Sequence, residues 1–388
     1  MIGISKLYCG AIEPSDALRY DWRPAPGAKT ARKPVVVFNC TRRCNLRCAH
    51  CYSASDSRAD NDALTGAEAR ALLDDLAAFG VPVVLFSGGE PLLREDLPEL
   101  IAHARRVGLR VVLSTNGTRI TPAVADELAR LSVGYVGVSL DGLGESNDAF
   151  RGQAGAFEAA LAGIRCCRDA GVEVGLRVTL HQGNVDQVPD LFDLLRRERI
   201  PRICFYHLVP AGRGDSLDRA ALSHDRTRAA LDTIIDHAAE LHREGNPVEV
   251  LTVDNHADGA HLYLRLLRED PARAEQCLRL LRRNGGNSSG SGIAAVSWNG
   301  DVHPDQFWRT QVVGNVRRQA FSELWASPPS GSLLAMLRER PARLGGRCPR
   351  CRFLDICNGN LRARAQAATG DPWGDDPACY LTDEEIAP

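Results

Sequence analysis

Val35-Val-Val-Phe38-Asn-Cys40-Thr-Arg-Arg-Cys44-Asn-Leu-Arg-Cys48-Ala-His-Cys51 reads as a short apolar strand running into a cysteine-rich loop. The spacing Cys44-x3-Cys48-x2-Cys51 puts three thiolates within eight residues, enough to hold three irons of a [4Fe-4S] cube. The fourth iron then has no protein ligand and is open to a chelating small molecule. A structural zinc site wants four ligands and a closed shell. Cys40 could be the fourth, so zinc is the competing assignment. Its place at the strand end, with the wrong spacing for a knuckle, weighs against it.

Outward from this loop the same pattern repeats. Apolar runs Val35–Phe38, Val81–Phe86, Arg110–Leu113, Tyr135–Leu140, Val172–Leu180 and Arg202–Leu208 alternate with helical patterns. Thr65 and Glu68 form a capping-box pattern, Ala69, Leu72, Leu73, Leu76 and Phe79 follow at helical spacing, and Gly80 ends that helix. Segments 96–107 and 155–170 read in the same way. Six βα units predict an α/β fold with a parallel sheet. They are too few for a closed eight-stranded barrel, so a partial (βα)6 barrel is expected, with its site at the carboxyl ends of the strands. The expected organisation is an extension over 1–34, the partial barrel over 35–213, a mostly helical connection over 214–290 and a small domain over 291–388. The run 284–292 (NGGNSSGSG) reads as a linker or a ligand-hugging loop.

Composition narrows the class. With 388 residues and 44% apolar, the chain can bury a sizeable core. A net charge of −2 advertises no nucleic-acid or acidic-membrane partner. No apolar run approaches the ~20 residues of a membrane span. The N-terminus lacks a signal-peptide pattern, so a cytoplasmic location is expected. Thirteen cysteines, an odd number in such a chain, point to metal or redox work, not a disulfide framework. Cys166, Cys167, Cys204 and Cys277 read as core filler.

The C-x3-C-x2-C loop after the first strand resembles the signature of the radical SAM superfamily, whose members bind S-adenosylmethionine (SAM) at the open iron. The resemblance implies a cofactor site assembled strand by strand. His50 stands where the family usually has an aromatic residue beside adenine. Gly88-Gly89-Glu90 is similar to the segment that binds the methionine amino group: glycines admit the backbone and a carboxylate pairs with ammonium. Ser114 and Asn116 end the third strand. Ser139 and Asp141 end the fourth and are implied to face ribose and methionine groups; helix capping by Asp141 is the plainer alternative. Arg177 and Thr179 alternate on the fifth strand and are expected to point into the barrel. A charge there needs a partner, and the SAM carboxylate would be one. The sixth strand end, from Tyr206 to Val209, is implied to contact adenine.

Near the C-terminus, Cys348-x2-Cys351-x5-Cys357-x21-Cys379 could close a second [4Fe-4S] cluster with no open iron, with zinc as the rival. The C-x2-C-x5-C spacing resembles the SPASM/twitch extensions of radical SAM enzymes. Full SPASM domains carry more cysteines. Here Asp305 and Leu361 occupy two of those positions, which implies one auxiliary cluster.

Phe86–Arg94, Tyr135–Gly142, Val302–Trp308 and Gly370–Trp373 resemble the radical SAM enzymes that modify tetrapyrroles in siroheme-dependent heme synthesis and heme d1 synthesis. Lys6–Gly10, Glu13–Tyr20, Cys357–Asn360 and Leu381–Glu385 are most similar to 12,18-didecarboxysiroheme deacetylases. That implies removal of acetate side chains from didecarboxysiroheme, an iron tetrapyrrole, to give Fe-coproporphyrin III through a 5′-deoxyadenosyl radical. An unidentified electron donor, such as a flavodoxin or ferredoxin, would be needed. Arg177 and Arg213 are candidates for substrate carboxylates. His256 and His303 are candidates for the substrate iron or a proton donor, although a lone histidine is more often structural. The alternatives are a heme d1 enzyme acting on the propionates, a SPASM-type peptide maturase, and a zinc-binding or electron-carrier protein. A maturase usually has a peptide-recognition domain before the barrel, for which 34 residues are too few. A carrier has no use for Gly88-Gly89-Glu90-Pro91.

Overall fold

A computed structural model describes residues 1–13, 16–20, 33–58, 60–217 and 220–388. Much of the expected 1–34 extension, including Pro14 and Ser15, lies outside them. The strands are β1 (Ile2–Gly3), β2 (Val35–Asn39), β3 (Val83–Ser87), β4 (Arg110–Thr115), β5 (Val136–Ser139), β6 (Val174–Leu180), β7 (Arg202–His207), β8 (Glu249–Val253), β9 (Ile293–Val296), β10 (Asp301–His303) and β11 (Gly314–Asn315). They form one sheet in the order β1-β8-β7-β6-β5-β4-β3-β2-β9-β10-β11. The six expected strands are β2 to β7, all parallel.

Two extensions were not in the sequence reading. The region read as mostly helical does hold helices His224–Arg243, Ala257–Glu269 and Pro271–Asn284, but it also supplies β8, parallel to β7. On the other side β9 runs parallel to β2, with Phe38 opposite Val296. The C-terminal region therefore continues the barrel sheet. It is also not a separate core: Phe353, Ile356, Tyr380, Leu381 and Ile386 join the same buried cluster as the barrel helices.

The helix Gly66–Phe79 forms for the predicted reasons. Thr65 and Glu68 make the reciprocal capping box, and Gly80 caps the other end at φ 83°. Its buried face, Ala69, Leu72, Leu73 and Leu76, covers the outside of the sheet. Helices Leu97–Arg106 and Ala156–Asp169 match the other two readings. The 284–292 run is neither slack nor exposed. Asn287 and Ser289 are buried, and the Arg340 guanidinium donates to the carbonyls of both.

Parallel register brings the polar strand ends level. Asn39 lies opposite Ser87, Ser139 opposite Arg177, and Thr179 opposite Tyr206. Side chains alternate across each strand, so one set packs outward and the other lines the lumen. Val37, Leu85, Val112, Cys204 and Leu251 belong to the inner set.

Candidate active site

The first cysteine loop is held from several sides. Gly89 N donates to Thr41 O (2.8 Å) and Glu90 N to Arg43 O (2.7 Å). A Cβ on Gly88 would stand 2.3 Å from Thr41 O, and one on Gly89 2.2 Å from Arg43 O. The two glycines therefore admit the cluster loop itself. Glu90 is fully buried. Its carboxylate accepts from Thr115 Oγ1 (2.7 Å), Asn116 N (2.8 Å) and Leu92 N (3.1 Å), which ties the ends of β3 and β4 together. It faces chain donors instead of an open pocket.

The sulfurs are surrounded by donors. Leu46 N and Asn116 Nδ2 approach Cys44 Sγ at 3.4 and 3.9 Å, Arg151 Nη1 approaches Cys48 Sγ at 3.7 Å, and Ser55 N approaches Cys51 Sγ at 3.4 Å. Burial pushes the Cys44 thiol up to about 12, and Glu90, Cys48 and Cys51 add to the rise. Two buried thiols and a half-buried third in one loop would need bound cations to ionise together, and N–H···S donors suit the ligated, anionic form. The residues present fit a three-cysteine iron–sulfur cluster. Cys40 stands apart: its charged neighbours are Arg94, Asp96 and Glu90, not the other cysteines. Among the described residues no three His, Cys, Asp or Glu side chains converge as a lone metal ion would require.

The second set behaves likewise. Burial raises the Cys357 thiol well above its ordinary value, and Cys379, Cys348 and Cys351 raise it further. The turn after Cys357 passes through Asn358 and Asn360 in the left-handed region, at φ 54° and 56°. Asn360 Oδ1 accepts from His256 N (2.7 Å), which links this turn to the end of β8. All four cysteines thus fit one closed cluster.

Beside the first loop lies a pocket of about 100 Å³, with His50, Ser114, Ser139, Arg177, Thr179 and Val209 in its wall. These are predicted residues brought together from three strands and two loops. The sequence reading missed Tyr52, Ser87, Arg151, Gln306 and Phe307, which also line it. Tyr52 directly follows Cys51, a signal that was available; Arg151 carried none. Two predicted residues lie behind the wall. Asn116 holds Cys44 and Asn45. Asp141 is fully buried, 2.6 Å from Arg151 Nη2 and 3.2 Å from His50 Nε2, and accepts from Thr179 N at 2.7 Å. It neither faces the pocket nor caps a helix. Burial drops His50 to about 4, so the ring meets Asp141 uncharged. One His50 face stacks on Phe150, with centroids 4.6 Å apart.

A second cavity, of about 870 Å³, occupies the lumen; its wall runs from the amino ends of the strands, at Val35, Val83, Arg110 and Glu249, to Phe307 and Leu361. The two cavities share Arg177, Tyr206, Gln306 and Phe307. Arg177 Cζ sits 4.8 Å from the Tyr206 ring centroid. Among the described residues the Arg177 guanidinium has no carboxylate partner.

The expected substrate residues divide. His256 lines the large cavity, with Nε2 3.4 Å from the Met1 nitrogen. His303 lines neither cavity. Its Nδ1 donates to Gln311 O (2.9 Å) and its Nε2 accepts from Ser297 Oγ (2.8 Å), a closed structural tie. Arg213 donates to Cys48 O (2.8 Å) and Ser55 O (2.7 Å), so it braces the cluster loop and does not reach the barrel mouth.

Comparison with known proteins agrees with this geometry. Residues 38–195 match the Radical SAM superfamily, and residues 288–352 match SPASM, an iron–sulfur cluster-binding domain. The chain is 55% identical to the Fe-coproporphyrin III synthase of Methanosarcina barkeri, over 100% of this chain and 99% of that one. It is 45% identical to the pre-heme d1 synthase of Dinoroseobacter shibae, over 94% and 91%. Among solved structures, Streptococcus suis SuiB bound to its precursor peptide SuiA superposes with a TM-score of 0.72, covering 90% of this chain and 76% of that one. At 17% identity that likeness is one of fold.

Proposed function

Because the chain belongs to the radical SAM superfamily, we propose that it removes acetate side chains from 12,18-didecarboxysiroheme, an iron tetrapyrrole, to give Fe-coproporphyrin III. The observation that carries this reading is the full-length 55% identity to an Fe-coproporphyrin III synthase. The junction of the small pocket with the large cavity supports it. At about 870 Å³ that cavity lies near the upper end of small-molecule sites, as a tetrapyrrole demands.

Cys44, Cys48 and Cys51 would hold the SAM-binding [4Fe-4S] cluster, and Cys348, Cys351, Cys357 and Cys379 the auxiliary one. When reduced and loaded with SAM, the first cluster supplies a 5′-deoxyadenosyl radical; the protein supplies position and exclusion. Arg177 would take a carboxylate at the boundary of the two cavities, because a half-buried guanidinium without an acidic partner calls for one. The Ser114, Ser139 and Thr179 hydroxyls would orient the polar parts of SAM. Tyr52 and Phe307, in edge contact at 5.4 Å, would shield the reacting region from water. The electron would come from a separate donor, such as a flavodoxin or ferredoxin.

Anaerobic incubation with didecarboxysiroheme, SAM and reductant, followed by mass analysis of the tetrapyrrole, tests the proposal. Loss of two acetate groups is expected. The 45% identity to a pre-heme d1 synthase favours a second reading, in which the propionates are the groups attacked. Products altered only at the propionates would replace the first reading with the second. No change in the tetrapyrrole would refute both.

A further inference from the structure

Behind Tyr52 and Phe307, outside both cavities, two arginines share one indole. Arg309 Cζ lies 4.5 Å and Arg42 Cζ 5.7 Å from the Trp298 ring centroid. Three buried donors there have no acceptor among the described residues: Arg42 Nε, Arg309 Nη1 and Trp298 Nε1. Trp298 itself is only 8% exposed. Neither guanidinium has an ion pair among the described residues. Neither nearby carboxylate reaches a guanidinium: Asp301 accepts from Asn299 and Asn315 (both 2.8 Å), and Asp60 Oδ2 accepts from Thr41 Oγ1 (2.6 Å) and from the backbone N of Arg42 (2.5 Å), while Asp60 Oδ1 is buried without a partner among the described residues.

Such a group is costly as it stands. Two like charges sit against one ring, and unpaired buried N–H groups forfeit hydrogen bonds they would make in water. A carboxylate would relieve both problems, since its two oxygens match guanidinium forks.

We propose that Arg42, Trp298 and Arg309 form an anion subsite that holds a carboxylate arm of the substrate. Its assignment to the tetrapyrrole rests on the function proposed above; the subsite itself rests on the unpaired donors. Its position suits that ligand. Arg309 follows Phe307 by two residues, and Phe307 lines both cavities. A flat macrocycle in the larger cavity would extend a rim carboxylate past Phe307 to the guanidinium pair. The competing occupant is the first cluster, because Cys51 is also close to Arg309.

The test uses anaerobically reconstituted holoenzyme and measures didecarboxysiroheme binding by absorbance titration, without turnover. Arg309→Gln should weaken binding ~10- to 100-fold, the scale of a lost charged hydrogen bond. Arg309→Lys should fall between, keeping charge but not the fork. Methyl esterification of the substrate should weaken wild-type binding but scarcely affect Arg309→Gln. Iron content and the reduced first-cluster EPR signal should be unchanged. Wild-type affinity in Arg309→Gln would overturn the proposal. So would an altered first-cluster signal with unaltered binding, which would make the cluster the counter-ion. If wild type fails to bind the tetrapyrrole, succinate is the probe, read by the fluorescence that Trp298→Phe removes. A succinate response lost in Arg309→Gln would keep the subsite and sink the tetrapyrrole reading. No response to either ligand would sink the subsite.

Discussion

Arg151→Met is the substitution whose cost the structure specifies best. Arg151 is 7% exposed and bridges Asp141 (2.6 Å) to the Cys48 sulfur (3.7 Å). Methionine fills much of the same volume without charge. Asp141 would then be a fully buried carboxylate left with one backbone donor, Thr179 N, and an uncharged His50. Breaking one side of a buried pair costs about 3–5 kcal/mol, and the surviving Thr179 bond favours about 3. Unfolding entropy of about 2.1 cal/mol/K per residue gives roughly 0.8 kcal/mol/K for a chain this long, so Tm should fall by about 4 °C. Asp141→Asn alone should cost a similar amount by stranding Arg151. The double variant buries no charge and should cost ~1 kcal/mol, far less than the sum. Anaerobic calorimetry of the reconstituted proteins reads all three. Additive losses in the double variant would refute the pairing and, with it, the account of how Cys48 is held.

Cys48→Ala should abolish reductive SAM cleavage and reduce bound iron to about half, since each cube holds four irons; Cys351→Ala should keep measurable cleavage but form no product. Retained cleavage in Cys48→Ala would reassign the first cluster. Gly89→Ala drives a Cβ to 2.2 Å from Arg43 O, so the cluster loop must shift. It should lose first-cluster iron while the auxiliary EPR signal persists, and intact iron would contradict the packing. Burial pushes Asp254 up to about 7, above the unfolded value of about 3.9. The folded chain then carries a proton that the unfolded chain lacks between those pH values, so this group's contribution to stability falls as pH rises from about 4 to 7. Asp254→Asn should remove that slope and gain up to ~4 kcal/mol at pH 8, read by denaturant titration; an unchanged pH slope would count against it.

The six parallel strands were legible because each is an apolar run bounded by a helix with its own signals, such as Thr65, Glu68 and Gly80. Strand β8 was not, because Glu249-Val-Leu-Thr-Val253 is five residues between long charged helices. Its burial comes from β7 and β1, which sequence does not bring together. The two candidate cysteine sets could be grouped from sequence because spacing within a loop is a local property. The polar wall was legible in part: Ser139 and Arg177 sit at strand ends, where alternation decides direction. Asp141 was misjudged because its direction is set by Arg151, a residue that looks like an ordinary charged helix end. His303 and Arg213 were misjudged because a lone side chain does not reveal whether its bonds are already filled. The Arg42–Trp298–Arg309 group joins the first loop to the β9–β10 turn and to the segment after β10, a contact that depends on the pairing of β9 with β2.

Mössbauer spectroscopy of the anaerobically reconstituted chain, with and without SAM, tests most directly whether one iron is left open by the protein. About eight irons per chain are expected, in two cubes, with a single iron changing its isomer shift when SAM is added. A spectrum indifferent to saturating SAM, or zinc in place of either cube, would contradict the open iron on which the proposed chemistry depends.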